Sequence, residues 1–371
     1  MKYLNFVLEQ LGTTTPGGIG RYSRELFLAM TDCVPDNWEL RGQLPHKLLS
    51  EQVGLPRQAE HFVFNRKSPF SSRITAQLWA HGLSLGSQLG NLHAPSLLAP
   101  IRKSSKTTGS VVTIHDSVPW TNPETLTQHG VRWHTQMLNR AYKYADAVIT
   151  PSNAVKNELD EQFNFGDRVF VVPGAPSFDS ERIETFDLVN YLPTEFFLIV
   201  GTLEPRKGIL HAIKATSVSR TLPLVHIGPL GWGNVDVDNF LRENNIPKEM
   251  FISLGFLPEH QLPEIYRRAT ALIMPSQNEG FGLPLLEAMS QGTPAITSNV
   301  AALIEVAGNS SLIADVNSPD FILELANHMS KIQSDENLRS TLSQAAVKKS
   351  SEYSWRKSAE LAWQLHEKLM G

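Results

Sequence analysis

Cysteine is nearly absent: Cys33 is the only one in 371 residues. That excludes an intrachain disulfide and any cysteine-based zinc site, and it leaves Cys33 as a small apolar residue by default. No stretch reaches the roughly 18 consecutive apolar residues that a membrane span needs. The longest apolar runs, such as Phe196 to Val200, are strand-sized. The N-terminus, MKYLNFVLEQ, carries Glu9 inside its apolar run and lacks a cleavage-site pattern, so it reads as a first strand and not as a signal peptide. The expected place is the cytoplasm. Neither an internal repeat nor a low-complexity run is present. The dinucleotide fingerprint is missing too, because the glycines after the first strand run Gly17-Gly18-Ile19-Gly20 with Arg21 next, which disfavours a nicotinamide enzyme.

What is there is a chain too long for one ordinary core, with 41% hydrophobic and 19% charged residues, which points to two globular domains. The net charge of −4 is unevenly spread. Residues 1 to 106 hold 12 Lys and Arg against 7 Asp and Glu, whereas residues 181 to 371 hold 16 against 22. The acidic half argues against nucleic acid. The basic half is read either as a solvated surface or as one facing an anionic membrane or a phosphate-bearing acceptor.

Strand and helix signals alternate along both halves. Tyr3 to Leu8, Val111 to Ile114, Ala147 to Thr150 and Val169 to Val172 read as buried strands in the first half. Phe196 to Val200, Leu224 to Ile227, Phe251 to Leu254, Ala271 to Met274, Ala295 to Thr297 and Leu312 to Ile313 do so in the second. Residues 36 to 90, interrupted by Pro45, Pro56 and Pro69, show no clear period and read as variable loops, one or two short strands and a helix near Ile74 to Leu89. The connection between domains falls within 175 to 195. Ligands collect outside the carboxyl ends of parallel strands, which is where His115 stands and where Pro119 and Trp120 form a polar and aromatic loop. His115 has a bland reading as well, that of a histidine satisfying loop carbonyls. Ser152 is a helix N-cap, and Asp236 and Asp238 read as capping residues before a helix near Asn239 rather than as a cation site.

The stretch from Asn278 to Thr293, NEGFGLPLLEAMSQGT, organises the second half. A loop with Gly280 and Gly282 enters a short helix that Pro284 opens and Gly292 closes. Free backbone N–H groups at such a helix start suit an anion such as a diphosphate, and the bracketing carboxylates Glu279 and Glu287 can accept from sugar hydroxyls. Either Glu by itself is also readable as an ordinary surface or helix acid. Arg206 and Lys207 lie on the loop after the strand ending at Val200, where two adjacent cations suit phosphate neutralisation; a plain surface basic pair is the other reading.

Glu279 and Glu287, with seven residues between, resemble the paired-glutamate signature of glycosyltransferase family 4, the retaining group 1 glycosyltransferases. The resemblance extends to GGIGRY at Gly17 to Tyr22, TIHD at Thr113 to Asp116, ITPSN at Ile149 to Asn153 and VGTLEPRKG at Val200 to Gly208. It implies an α/β fold of GT-B architecture, two Rossmann-like domains facing across a cleft. Residues 1–178 would form the acceptor domain, completed by a crossing helix at 354–371, and residues 179–353 the nucleotide-sugar domain.

By the same resemblance Arg206 and Lys207 neutralise the diphosphate leaving group, Glu279 and the N–H groups of Gly280, Phe281, Gly282 and Leu283 hold the sugar, and Glu287 accepts from the ribose. Gly17 and Gly18 close the first loop on the phosphates, His115 lies against the reacting sugar, Ser152 lines the cleft, and Thr202 and Phe256 complete the nucleotide side. Thr202 stands where many relatives carry Arg, which puts more of the neutralisation on Arg206 and Lys207. The implied activity is metal-independent, retaining transfer of a hexosyl unit, with mannosyl from GDP-mannose the preferred donor. The implied acceptor is a saccharide or lipid-linked glycan of bacterial cell-surface synthesis, met in the cytoplasm or at the inner face of the membrane. A sugar-nucleotide epimerase of the same architecture and a non-catalytic scaffold stay open as alternatives.

Overall fold

Apolar runs of four to six residues, each buried on both faces, are what a parallel sheet covered by helices requires. The computed structural model describes all residues except 14–16, 46–54, 56–61, 65–69, 84–89, 106–107, 124–125, 179–191, 232, 234 and 371. The chain divides into two units, Met1–Gly174 with Ser354–Gly371, and Ala175–Tyr353. The division falls four residues ahead of the boundary read from the sequence, and Trp232 of the second half lies outside the described residues.

The first unit holds β1 (Lys2–Val7), β2 (Trp38–Gln43), β3 (Val63–Phe64), β4 (Asn91–Ala94), β5 (Ser110–Thr113), β6 (Ala147–Thr150) and β7 (Val169–Val171). They form one sheet in the order β3-β2-β1-β4-β5-β6-β7, every pairing parallel. The second unit holds β8 (Phe197–Val200), β9 (Leu224–Ile227), β10 (Phe251–Ser253), β11 (Ala271–Met274), β12 (Ala295–Ser298) and β13 (Ser311–Ala314). Its sheet, also parallel throughout, runs β10-β9-β8-β11-β12-β13. In both sheets the chain first builds outward to one side and then to the other, so strand order reverses between β1 and β4 and between β8 and β11. Loops at such a reversal part to opposite faces and leave room for a ligand at the carboxyl edge.

Several local expectations shift. Gly17 and Gly18 do not form a loop ahead of a helix; they open it, since the helix spans Gly17–Thr31 with Gly17 at φ 59°. Pro119 and Trp120 lie in a short helix, Val118–Thr121, because Pro at the first turn gives up an N–H that had no partner there anyway. The helix expected at 74 to 89 is described over Ser72–Ala80, and 84–89 lie outside the described residues. The capping readings are borne out for Ser152, which accepts from the Val155 N–H at 3.2 Å, and for Asp236, which accepts from the Asn239 N–H at 2.9 Å, whereas Asp238 is the second residue of the Val237–Glu243 helix and not a cap.

The last helix, Trp355–Met370, belongs to the first unit. Its buried face carries Ala359, Ala362, Trp363 and Leu365, Trp363 donates to the Met30 carbonyl at 3.2 Å, and Ser358 donates to the Pro173 carbonyl at 2.7 Å. His366 meets His93 at 3.0 Å in full burial, with the His93 ring stacked on Phe6. Burial drives His366 down to about 3 and, together with repulsion from His366, holds His93 well below its ordinary range, so both rings are neutral and one donates to the other.

Glu9 caps the carboxyl end of β1 with no exposed surface, accepting from Ser72 at 2.7 Å. Burial pushes its carboxyl up to about 7 against that hydrogen bond. The unfolded chain releases this proton near 4.5 and the folded one near 7, so the stability attached to the neutral acid is full below 4.5 and lost as pH rises through 7. Glu9→Gln removes the titration. Its unfolding free energy is expected to gain about 2–3 kcal/mol on the wild type between pH 4.5 and pH 8, read by urea denaturation. An equal difference at both pH values would show that Glu9 is not held protonated.

Candidate functional site

The site is built on the loops after β8 and β11, adjacent strands at the order reversal of the second sheet. After Val200 the chain forms a single 3-10 turn, Pro205–Lys207, with Glu204 ahead of it in extended conformation. Gly208 ends the turn at φ 67°, and a Cβ there would lie 2.2 Å from the Pro275 carbonyl oxygen. Only glycine lets the two loops approach so closely. Gln277 N–H then donates to the Arg206 carbonyl at 2.8 Å, so the loops are joined backbone to backbone.

Three of the expected catalytic residues come together here. Lys207 Nζ lies 2.5 Å from Glu279 Oε1, Ser276 donates to the same oxygen at 2.9 Å, and Arg206 Nη1 stands 3.9 Å from Glu279 Oε2. Arg206 also donates to the Asn278 carbonyl at 3.2 Å and holds its Nε 2.7 Å from Glu204 Oε1. Burial by itself raises the Glu279 carboxyl, but Lys207, Arg206 and the two hydrogen bonds outweigh it and set the carboxyl below its ordinary value. Glu279 is therefore ionised at neutral pH.

The Glu279 loop leads into the Leu283–Ser290 helix through Gly282 at φ 94°, where a Cβ would meet Leu303 at 2.7 Å. Pro284 is the second helical residue rather than the first, and Gly292 follows the end at φ 73°. Gly280 and Phe281 are buried, and Phe281 packs its ring edge-on to Tyr353, so these positions offer backbone rather than side chain to a ligand. Glu287 falls in the second turn, not the first. It has no exposed surface, and its Oε2 accepts from the Tyr266 hydroxyl at 3.0 Å. The surface-acid reading therefore fails for Glu287, which Tyr266 anchors inside the core.

Thr202 is half-buried after β8, and Phe256 stands 73% exposed on the loop after β10, apart from the charged cluster. Gly17, Gly18 and His115 belong to the first unit. His115, at the carboxyl end of β5, gives its Nε2–H to the Pro95 carbonyl at 2.7 Å and takes the edge of Tyr22; burial lowers its pKa, opposed by that bond and by Asp116. The loop-carbonyl reading is therefore realised in its Nε2. Sequence reasoning assigned nothing to Glu204, Ser276 and Tyr266. The first two lie inside the matched motifs and were legible as motif members, whereas no local pattern marks Tyr266 as a partner of Glu287.

Two Rossmann-like units with a charged cluster at a strand-order reversal define an α/β protein of the GT-B class. The glycosyl transferases group 1 profile matches residues 181–349 and the glycosyltransferase family 4 profile matches 50–175. The chain is 31% identical over 275 residues to O-antigen chain mannosyltransferase B of Escherichia coli, covering 71% of this chain and 70% of that protein. It covers only 32–35% of the length of three longer Escherichia coli mannosyltransferases that it also matches. Sucrose-phosphate synthase from Thermosynechococcus elongatus shares the fold at TM-score 0.72 and 18% identity, over 100% of this chain and 99% of that one. HepE of Anabaena, solved with UDP-glucose, does so at TM-score 0.69 and 18% identity, over 99% and 100%. The chain belongs to the group 1 glycosyltransferases of family 4. It is a transferase enzyme, and no described helix is long and apolar enough to cross a membrane.

Lys207 and Glu279 should behave as one unit. Lys207→Ala is expected to destabilise the second unit by about 2 kcal/mol through the buried carboxylate it leaves behind. In a Glu279→Gln background the same change should cost less than half as much. Additive losses in urea unfolding would mean that the pair is not energetically coupled.

Proposed function

We propose that the chain transfers a mannosyl unit from GDP-mannose, with retention and without a metal, to a saccharide or lipid-linked acceptor in cell-surface glycan synthesis. The observation that carries this reading is the joining of Arg206, Lys207 and Glu279 at the reversal between β8 and β11. Mannose as the sugar is supported by the name of the 31% identical relative, an O-antigen chain mannosyltransferase. A nucleotide-sugar as the donor class is supported by the UDP-glucose bound to HepE. The basic bias of residues 1–106 supports an acceptor presented at the cytoplasmic face of a membrane.

In this reading Arg206 and Lys207 stabilise charge that grows on the departing diphosphate, assisted by the N–H groups at the start of the Leu283–Ser290 helix. Fixed cations of this kind replace a metal. Glu279 accepts from hydroxyls of the sugar through the oxygen that Lys207 does not hold. His115 of the first unit keeps the sugar role that the family resemblance implies, and its Nε2–H is directed to Pro95. Phe256 offers an exposed ring to the base. Glu287 keeps the ribose role, to which its burial adds a structural one.

Thermal shift against a panel of nucleotide-sugars tests the donor. GDP-mannose at 100 times its Kd should add about 2.7 kcal/mol of stability, and a shift seen only with a uridine donor would overturn the choice of base. Transfer should run at full rate in EDTA; a rate that magnesium or manganese restores would overturn the metal-free mechanism. Lys207→Ala should lower kcat about 100-fold. Glu287→Gln should raise the donor KM and also lower Tm, because the Tyr266 hydroxyl loses a charged acceptor. A raised KM at unchanged Tm would deny Glu287 its structural share.

A further inference from the structure

Glu204 is a carboxylate with 1% of its side chain exposed, placed against Arg206 on a loop whose backbone is already fixed from several sides. Lys207 N–H reaches the Glu204 carbonyl at 3.2 Å, Leu203 N–H reaches the Pro229 carbonyl at 3.0 Å, and Gly208 abuts Pro275. Burying an ion pair gains a fold little, since well-packed apolar residues of the same volume are commonly as stabilising or more so. A buried pair on a loop that needs no further anchoring points to control of position.

The distances show what is controlled. Among the described residues, two carboxylates form ion pairs with Arg206: Glu204 Oε1 in close contact at 2.7 Å and Glu279 Oε2 at a looser 3.9 Å. Lys207 meanwhile sits on Glu279 Oε1 at 2.5 Å. The four charges alternate in sign along a line from Glu204 through Arg206 and Glu279 to Lys207. Without Glu204, the guanidinium would be drawn the remaining distance onto Glu279.

We infer that Glu204 is a positioning residue for glycosyl transfer: it holds Arg206 off Glu279, keeping the guanidinium for the diphosphate and the second oxygen of Glu279 for the sugar. This rests on the leaving-group role proposed for Arg206. Glu204 itself touches neither substrate.

A double-mutant cycle with steady-state kinetics on GDP-mannose tests it, with Tm recorded for each variant. Glu204→Gln, which keeps shape and removes charge, should lower kcat at least tenfold with a smaller change in donor KM. Glu204→Asp, which keeps the charge but withdraws it by one methylene, should fall between Glu204→Gln and wild type. Arg206→Ala should lose about 100-fold, and adding Glu204→Gln to it should cost nothing further. Wild-type kcat in Glu204→Gln, or a penalty that persists in full in the Arg206→Ala background, would overturn the inference. So would a poorly folding Glu204→Gln accompanied by a Glu204→Asp of normal Tm and wild-type kcat. Full activity in Arg206→Ala would instead overturn the leaving-group assignment on which it stands.

Discussion

A carboxylate taken out of water stays ionised only where cations or hydrogen-bond donors compensate it, and for Glu279 that compensation comes across two loops of the second unit. Glu279 comes from the loop after β11, and the cations that keep it ionised, Lys207 and Arg206, come from the loop after β8. The close approach at Gly208 and the bond from Gln277 to Arg206 bring the backbones together, and the charges then orient the side chains on them. The order reversal between β8 and β11 makes those two loops neighbours although 72 residues separate Lys207 from Glu279. The fold therefore acts on function through topology first and side chains second.

The first unit depends on an analogous contact of opposite character. The last helix is held there by apolar packing and by two neutral imidazoles, His93 and His366, which bond to each other instead of to an ion. Neutrality is what their burial enforces, since a charged ring in that interior would lack a counter-ion among its described contacts. Polar pairs of this kind specify one docking arrangement at little gain in stability, because a shifted helix would leave both rings without their partner.

Legibility in the sequence followed how local the cause was. Strands β5, β6, β8, β9 and β11 coincide to within a residue with apolar runs because a parallel strand buried on both faces carries mostly apolar side chains. Strand β2, Trp38–Gln43, falls among the one or two short strands expected within 36 to 90 but was not placed, because Glu39 and Arg41 interrupt its buried positions with exposed and half-buried ones. Caps at Ser152 and Asp236 were readable because the partner lies three residues on. The motif glutamates were readable as a pair, but their difference was not. Glu287 is drawn into the core by Tyr266, 21 residues away on another helix, and nothing in NEGFGLPLLEAMSQGT announces it. Glu204 was visible as a motif member without a task, because the task inferred for it depends on how far Arg206 lies from Glu204 and from Glu279. The His93 and His366 pairing spans 273 residues and leaves no sequence trace.

Charge balance gives the site its particular character. Glu204, Arg206, Glu279 and Lys207 sum to no net charge, so in the proposed function a diphosphate does not meet a simple surplus of positive charge. Attraction has to come from how those charges are pointed and from the N–H groups at the start of the Leu283–Ser290 helix. A balanced, oriented set has an advantage over a bare pair of cations. In the proposed function such a set would hold the resting diphosphate of the donor moderately and gain more as negative charge grows with the breaking of the bond to the sugar. Stabilisation that rises along the reaction lowers the barrier, whereas stabilisation present equally at the start only deepens binding. The two buried carboxylates beside the phosphate cations then follow from the chemistry rather than oppose it.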